Sequence, residues 1–323
     1  MDREASTQEM DLSIVTVNWN TEVLLHECLT TVYGTIENLS FELIVVDNGS
    51  SDNSVQTVRE HFPHVHLIVN ERNLGFAKAT NQGVSFATGT YVLLLNSDVV
   101  LQRDVVERMI DLLERRPEAG LVGSALVIPD VGYQLGAAGF EPTLASALWY
   151  YSFLSKLSPL VFKGIWLEHR RWFKSEIEVD WVSGACLLTR SELFRSLGAL
   201  DESYFMYLED VEWCRRARRS GWKILYLPTV EVLHRYRGSA SPAALTEWLD
   251  SLDRYYRVDH SRLETALFHC LAACGFFVRW LGCWLRQFLA TQRSCATKCR
   301  DLMAYSRKSW ALVWGEAADE NRY

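Results

Sequence analysis

Leu93-Leu94-Leu95-Asn96-Ser97-Asp98-Val99 is the stretch that decides the fold of this chain. The apolar run from Tyr91 to Leu95 stops abruptly in a polar tip. A short apolar run bounded by turn formers reads as a buried strand. A carboxylate just past the C-terminal end of such a strand lies where open α/β sheets bind their ligands. Asp98 is therefore expected at a crevice. A hard divalent cation takes oxygen ligands, commonly one or two carboxylates plus the phosphates of a substrate. Asn96-Ser97-Asp98 thus reads as a metal–diphosphate anchor. Taken alone, the same Asp would serve equally well as a cap for a helix expected from about Arg103.

Working outward, Leu12 to Val17 reads as a first strand ending in Asn18-Trp19-Asn20, followed by a helix over 21–38. Phe41 to Val46 is a second strand ending in Asp47-Asn48-Gly49-Ser50-Ser51-Asp52. His64 to Val69 is a third, and Asn70 to Phe76 a polar loop opening a helix that ends near Thr88. This alternation predicts an α/β fold, Rossmann-like, with a mostly parallel central sheet flanked by helices. The tips carrying Asn18, Asp47 and Asp98 then share one sheet edge and form one site. A helix over 103–116 and a strand over 121–128 follow.

Residues 129–178 are irregular and rich in aromatics, among them Trp149, Tyr150, Tyr151, Phe162, Trp166 and Phe173. Such faces suit sugar rings or lipid on an acceptor side; packing as a small subdomain is the alternative. Regularity returns at Val179 to Leu188, where small residues around Gly184 let a backbone approach a ligand closely. Tyr204 to Arg216 predicts a helix with Glu209, Asp210 and Glu212 in its first turns. Glu212 fits an acidic helix start favoured by the dipole. Adjacent Glu209 and Asp210 point in different directions, so one can bind while the other faces a reacting centre. Trp222 to Leu227 is a strand, and Val230 to Tyr236 a short extended piece. It carries His234 ahead of the basic loop Arg235-Tyr236-Arg237-Gly238-Ser239, a setting suited to metal or diphosphate.

The 323 residues are 49% hydrophobic and 23% charged, the profile of a globular protein. A net charge of -7 argues against nucleic acid as partner. Eight Cys include no Cys-x-x-Cys pair, and the first ten residues are polar without a secretory signal. Residues 1–10 read as a disordered tail, and the thiols as reduced in a cytoplasmic setting. Cys270/Cys274 and Cys295/Cys299 sit at helical spacing and read as packing residues.

Together these motifs resemble glycosyltransferase family 2, rhamnosyltransferase-like branch, over roughly 11–240. Val46 to Asp52 resembles the family's nucleotide-binding turn. Asn73-Leu74-Gly75-Phe76-Ala77 through Asn81 to Gly83 resembles its Asn-x-Gly-Phe-Ala-x-Gly-x-Asn-x-Gly segment, with Ala79 where Gly is usual. Leu95-Asn96-Ser97-Asp98 resembles its Asp-x-Asp motif with Asn first. The resemblance implies a GT-A fold and an inverting transfer from a nucleotide-diphosphate sugar to a glycan or lipid-linked acceptor, with dTDP-rhamnose favoured. It implies Asp210 as catalytic base beside Glu209. It implies a divalent cation, Mg2+ or Mn2+, at Asp98 and His234. Asn18, Trp19, Asp47, Asn48, Asn73, Gly75, Asn81, Asn96, Ser97 and Gly184 are then expected around the donor.

The domains expected are a catalytic one over 11–260 and a C-terminal helical region over 261–323. Leu263 to Leu289 is strongly apolar, interrupted by Arg279 and Arg286. Arginines at 279, 286, 293, 300 and 307 recur every seven residues, one basic stripe on a helix. Between 279 and 308 seven Lys or Arg face a single acid, Asp301. A basic face beside Trp and Phe predicts an interfacial helix on an anionic membrane, peripheral on the inner face of the plasma membrane. A helical hairpin packed on the enzyme, or on a second copy as a homodimer, is the alternative. Rival functions are a dinucleotide oxidoreductase, a sugar-nucleotide pyrophosphorylase and a non-catalytic membrane scaffold. The first two want a Gly-rich loop where this chain has Asn18-Trp19-Asn20.

Overall fold

The computed structural model of the chain describes residues 10–167, 172, 174–235, 242–290 and 296–313, without the side chains of 242–246, 286–290 and 296–299. The expected tail up to residue 9, Phe173, the basic loop from Tyr236 to Ser239, Arg293 and Cys295 lie outside the described residues, as do the side chains of Arg286 and Cys299. In chain order the elements are β1 (Leu12–Asn18), α1 (Glu22–Thr35), β2 (Phe41–Asp47), α2 (Ser54–His61), β3 (His66–Val69), α3 (Phe76–Val84), β4 (Tyr91–Leu95), β5 (Val99–Val100), α4 (Val105–Arg115) and β6 (Ala119–Ile128). They continue as β7 (Gly132–Tyr133), β8 (Ala138–Gly139), α5 (Leu144–Tyr151), α6 (Leu154–Leu157), β9 (Ile177–Val179), β10 (Trp181–Val182) and β11 (Cys186–Arg190). Last come α7 (Ser191–Leu197), α8 (Glu209–Arg219), β12 (Lys223–His234), α9 (Pro242–Asp259), α10 (Arg262–Ala290) and α11 (Ala296–Val313). By internal contacts the chain forms two units. The first is Met1–Ala138, Arg171–Phe205 and Glu209–Arg237; the second is Gly139–Arg170, Met206–Leu208 and Gly238–Tyr323.

The first unit holds a sheet in the order β3-β2-β1-β4-β11-β6-β12-β5. Neighbours from β3 through β4 are parallel, with Asn18 opposite Asp47 in the β1–β2 register. β4 is buried at every residue, which explains its unbroken apolar run: strands covered on both faces have no polar side. α3 packs on β1 and β2, and α4 on β6, β11 and β12. The helices obey the same burial logic. α1 buries Leu25, Cys28, Leu29 and Val32, one stripe at helical spacing.

Three expectations change along the sheet and at the start of α8. β11 inserts between β4 and β6 and runs antiparallel to both. The two pieces expected at 222–236 are one strand, β12, with a register break between Leu227 and Glu231 where Pro228 interrupts the ladder. The helix expected from Tyr204 starts only at Glu209, because Tyr207 and Leu208 take left-handed backbone (φ 68° and 67°).

In the second unit α10 and α11 pack on each other, and both touch α9. α9, expected with the catalytic domain, clusters here. The aromatics of the irregular segment pack internally: Tyr150 meets Trp166, Trp166 meets Trp248, and Tyr151 meets Phe276, which stacks on Tyr305. That is the subdomain alternative. Arg279 does not join a solvent stripe. Its guanidinium lies over the rings of Phe153 and Tyr150, at 4.4 and 4.5 Å, and donates to the Tyr150 carbonyl. An arginine held by ring faces is worth more there than in water.

α10 approaches α5 closely because residue 275 is glycine. A Cβ at Gly275 would stand 2.2 Å from the Tyr151 ring, whereas one at Gly282 meets nothing within 4 Å among the described residues. Gly275→Val should therefore destabilise by about 2 kcal/mol through overpacking, read as a lower urea midpoint, and Gly282→Val should not.

Candidate active site

The site grows from the C-terminal tips of β1, β2 and β4. Asn18 is fully buried, and its Nδ2 donates to Asp47 Oδ2 (2.9 Å) and Ser50 Oγ (3.2 Å). Thr21 Oγ1 donates to Asn18 Oδ1 (2.6 Å) and meets Ser97 Oγ at 2.9 Å. One chain of hydrogen bonds thus ties three strand ends together. Asn18 and Asp47 use their polar atoms to build the tip, and Trp19 stands 51% exposed beside it.

The 47–52 turn carries the next loop. Asn48 donates to Asn73 Oδ1 and the Gly75 carbonyl, and accepts from the Leu74 amide at 3.0 Å. Asn73 accepts from the Gly75 amide. Gly75 has φ +89°, and a Cβ there would lie 2.7 Å from the Phe205 carbonyl. Glycine alone fits both demands. Asn81 spends its amide on both backbone groups of Leu200, each at 2.9 Å, so it holds the 198–203 segment.

Asp98 is 7% exposed at the β4 tip. Pairing of His234 with Val99 in the β12–β5 ladder brings the imidazole alongside, with Nε2 3.0 Å from Asp98 Oδ1. On the far side Nδ1 faces Gln134 Oε1 at 2.5 Å. With Nδ1–H donated to that carbonyl oxygen, the ring turns Nε2 to a carboxylate. Two acceptors face each other only around a positive centre, a proton or a bound cation. This pair therefore fits a divalent cation that takes its remaining ligands from a substrate diphosphate. Among the described residues no group of three or more His, Cys, Asp or Glu gathers as a self-sufficient metal site. Behind the pair, Arg235 donates its amide to the Asp98 carbonyl and its guanidinium to Glu27.

The Ser183-Gly184-Ala185 turn joins this tip to the acidic helix. The Ala185 carbonyl accepts from the Asn96 amide (3.0 Å), and the Gly184 amide donates to Asp210 Oδ2 (2.9 Å). The Val211 amide donates to Asp210 Oδ1. Burial raises the Asp210 carboxyl above the usual aspartate range, and these backbone amides oppose the shift. Glu209 is 4% exposed, and its Oε2 finds no hydrogen-bond partner among the described residues. Burial, and next the Asp210 charge, push it well above the usual range. Of the pair, Asp210 is the member built to ionise. Glu212 pairs with Arg216 on the same helix. Asn96 Oδ1 is buried without a partner among the described residues.

Residues 13–198 match the family model for glycosyl transferase family 2. The chain belongs to that family. An N-acetylglucosaminyl-diphospho-decaprenol L-rhamnosyltransferase of Mycobacterium tuberculosis is 31% identical over 206 residues, 59% of this chain and 66% of the relative, just under two thirds of its length. Rhamnosyltransferase WbbL of Escherichia coli is 23% identical over 62% of this chain and 76% of its own. A mannosyltransferase of Pyrobaculum calidifontis, solved with GDP-Man and Mn2+, shares the fold with TM-score 0.59 and 16% identity, over 97% of this chain and 89% of that one. These relatives place the sheet among GT-A folds.

In this family 2 glycosyltransferase the fold brings Asn18, Asp47, Asn96, Ser97, Asp98, Gly184, Asp210 and His234 into one bonded neighbourhood. Thr21 and Gln134 belong to it and were missed. Thr21 looked like an ordinary helix start, and Gln134 lies in the irregular segment, where no periodicity marks it. Gly75→Ala should lower stability by more than about 1 kcal/mol, measured by chemical denaturation. Gly132→Ala should cost less, since φ there is +102° but a Cβ meets nothing within 4 Å.

Proposed function

We propose that this glycosyltransferase moves a sugar, rhamnose from dTDP-rhamnose, onto a hydroxyl of a glycan or lipid-linked acceptor in cell-surface polysaccharide synthesis. The observation that carries the reading is the Ser183–Ala185 turn, which holds Asp210 within one bonded frame with the Asp98–His234 pair. The rhamnosyltransferase relatives support the donor sugar. Relatives of the same fold solved with Mn2+ support a divalent cation.

The transfer is a single inverting displacement. Asp210 accepts the proton of the acceptor hydroxyl as its oxygen attacks the anomeric carbon. The bond from that carbon to the diphosphate breaks, and its electron pair leaves with the diphosphate. Asp98 and His234 would hold the cation, which when bound would stabilise the charge on the departing group. Gln134 orients His234, and burial pushes Glu209 toward its neutral form, which lessens the charge beside Asp210. Asn18 and Asp47 shape the nucleotide pocket, Trp19 offers its ring to the base, and Asn48 and Asn73 set the loop that lies over the donor. The catalytic residues belong to the first unit, α9 to α11 form the helical region of the second, and the chain works in the cytoplasm as a peripheral protein of the inner membrane face. One described helix, Arg262–Leu285, is long and apolar enough to cross a membrane by length and composition alone.

Donor turnover with purified chain and an acceptor glycolipid tests the class of reaction. Asp210→Asn should lower turnover at least ~100-fold with donor affinity nearly unchanged. The base works ionised and burial has raised its pKa. In the parent enzyme kcat/KM should therefore fall as pH drops through a limb above the ordinary aspartate range, and Asp210→Asn should lose that limb. Near-normal turnover in this variant would reassign the base.

Calorimetry of Mn2+ with dTDP tests the other half. Asp98→Ala should abolish metal-dependent binding. Gln134→Leu should weaken it roughly 10- to 100-fold, the usual effect of removing a group that orients a ligating histidine. Unchanged Mn2+-dependent affinity in Asp98→Ala would remove the cation from this site.

A further inference from the structure

The second unit carries an apolar feature that sugar transfer does not use. Between α6 and the bridge at Trp166, the segment Leu157-Ser158-Pro159-Leu160-Val161 holds out three large apolar side chains. Leu157 is 80% exposed, Leu160 50% and Val161 69%. Single exposed apolar residues are ordinary; three within five residues are a patch that needs an occupant.

We propose that this segment is a wedge that inserts into the interfacial region of an anionic lipid bilayer. The inference rests on the peripheral membrane reading above and names the surface that makes contact. Three features fit lipid. Several backbone donors of the tip are bonded within it or absent: Pro159 has no N–H, the Ser158 amide donates to the Leu154 carbonyl, and the Val161 and Phe162 amides donate to the Ser158 carbonyl. A tip with few unbonded donors can leave water at low cost. Lysines bracket it, with Lys156 Nζ over the Phe153 ring at 5.7 Å and Lys163 Nζ over Phe140 at 4.7 Å. Two ammonium groups held beside aromatic rings at the edge of the apolar tip are placed to meet anionic headgroups. The root is fixed, since Phe162 packs on Trp149 at 4.9 Å and Phe153 under Arg279.

The same unit presents Phe277, Val278, Leu281, Trp284 and Leu285 exposed on α10. Arg300 and Arg307 line a groove of about 450 Å³ with Trp280 and Met303. Exposed apolar rings beside cations complement an anionic bilayer, and lysines such as the two that bracket the tip are depleted at protein–protein interfaces.

The test is flotation of the full chain with phosphatidylethanolamine–phosphatidylglycerol vesicles. The chain should co-float, and Leu157→Ser/Leu160→Ser/Val161→Ser should bind at least tenfold more weakly while keeping its thermal midpoint. Val131→Ser, which removes a side chain 75% exposed in the first unit, should bind as the parent does. Leu160→Trp should show a blue-shifted emission on vesicles, quenched by brominated acyl chains. If the triple variant floats like the parent, the wedge is overturned and the peripheral reading stands. If the parent fails to float, both fall. A dimer that the triple variant dissolves, without flotation, would make a second copy the occupant and overturn the lipid assignment.

Discussion

The turn Ser183-Gly184-Ala185 is the constraint on which the site depends. Its backbone bonds point to three places: Ser183 to the Ala137 carbonyl, Gly184 to the Asp210 carboxylate, and Ala185 to the Asn96 amide. These are main-chain groups, so their positions follow from strand pairing rather than from rotamers. β11 is locked antiparallel between β4 and β6, and that lock sets where the turn begins. The tip of β4 and the start of α8 are far apart in sequence, yet each is bonded to this turn. Gly184 leaves a gap lined by Phe76 and Asp210, at 3.5 and 3.8 Å from where a Cβ would be.

The adjacent carboxylates show how one helix start yields two different acids. Glu209 is buried with one oxygen that finds no partner among the described residues, while Asp210 receives two backbone amides from Gly184 and Val211. Removing a carboxylate from water favours its neutral form, and bonds from N–H groups favour the ionised one. Only Asp210 has the second influence in strength. The division of roles therefore comes from the bonds each side chain finds. The residue type is not what separates them.

The parallel half of the sheet and its polar tips were legible because two simple signals coincide there. Apolar runs of strand length end abruptly in Asn18, Asp47 and Asp98, and helical stripes such as Leu25, Cys28, Leu29 and Val32 separate them. The insertion of β11 was not legible, since a four- or five-residue apolar run carries no direction and no neighbour. The late start of α8 was hidden because Tyr207 and Leu208 adopt a backbone that non-glycine residues seldom choose. The arginine repeat misled at Arg279 because spacing alone says nothing about the rings of Tyr150 and Phe153 lying against that side chain. Gln134 gave no signal, since its role exists only once β12 brings His234 beside it.

The break in β12 bears on which length changes the fold can absorb. Leu227 pairs with Ser124 and Glu231 with Ala125, so Pro228, Thr229 and Val230 stand opposite no residue of β6. This slack lies upstream of the segment that presents His234. Side chains alternate along a strand, so a one-residue shift past the break would turn the imidazole to the opposite face. Insertions or deletions at 228–230 can be taken up as long as the pairing of Glu231, Val232 and Leu233 is kept. Past Glu231, strand parity is as binding on this site as the chemistry of any side chain. Length variation among relatives should accordingly gather within the break and thin out sharply after it.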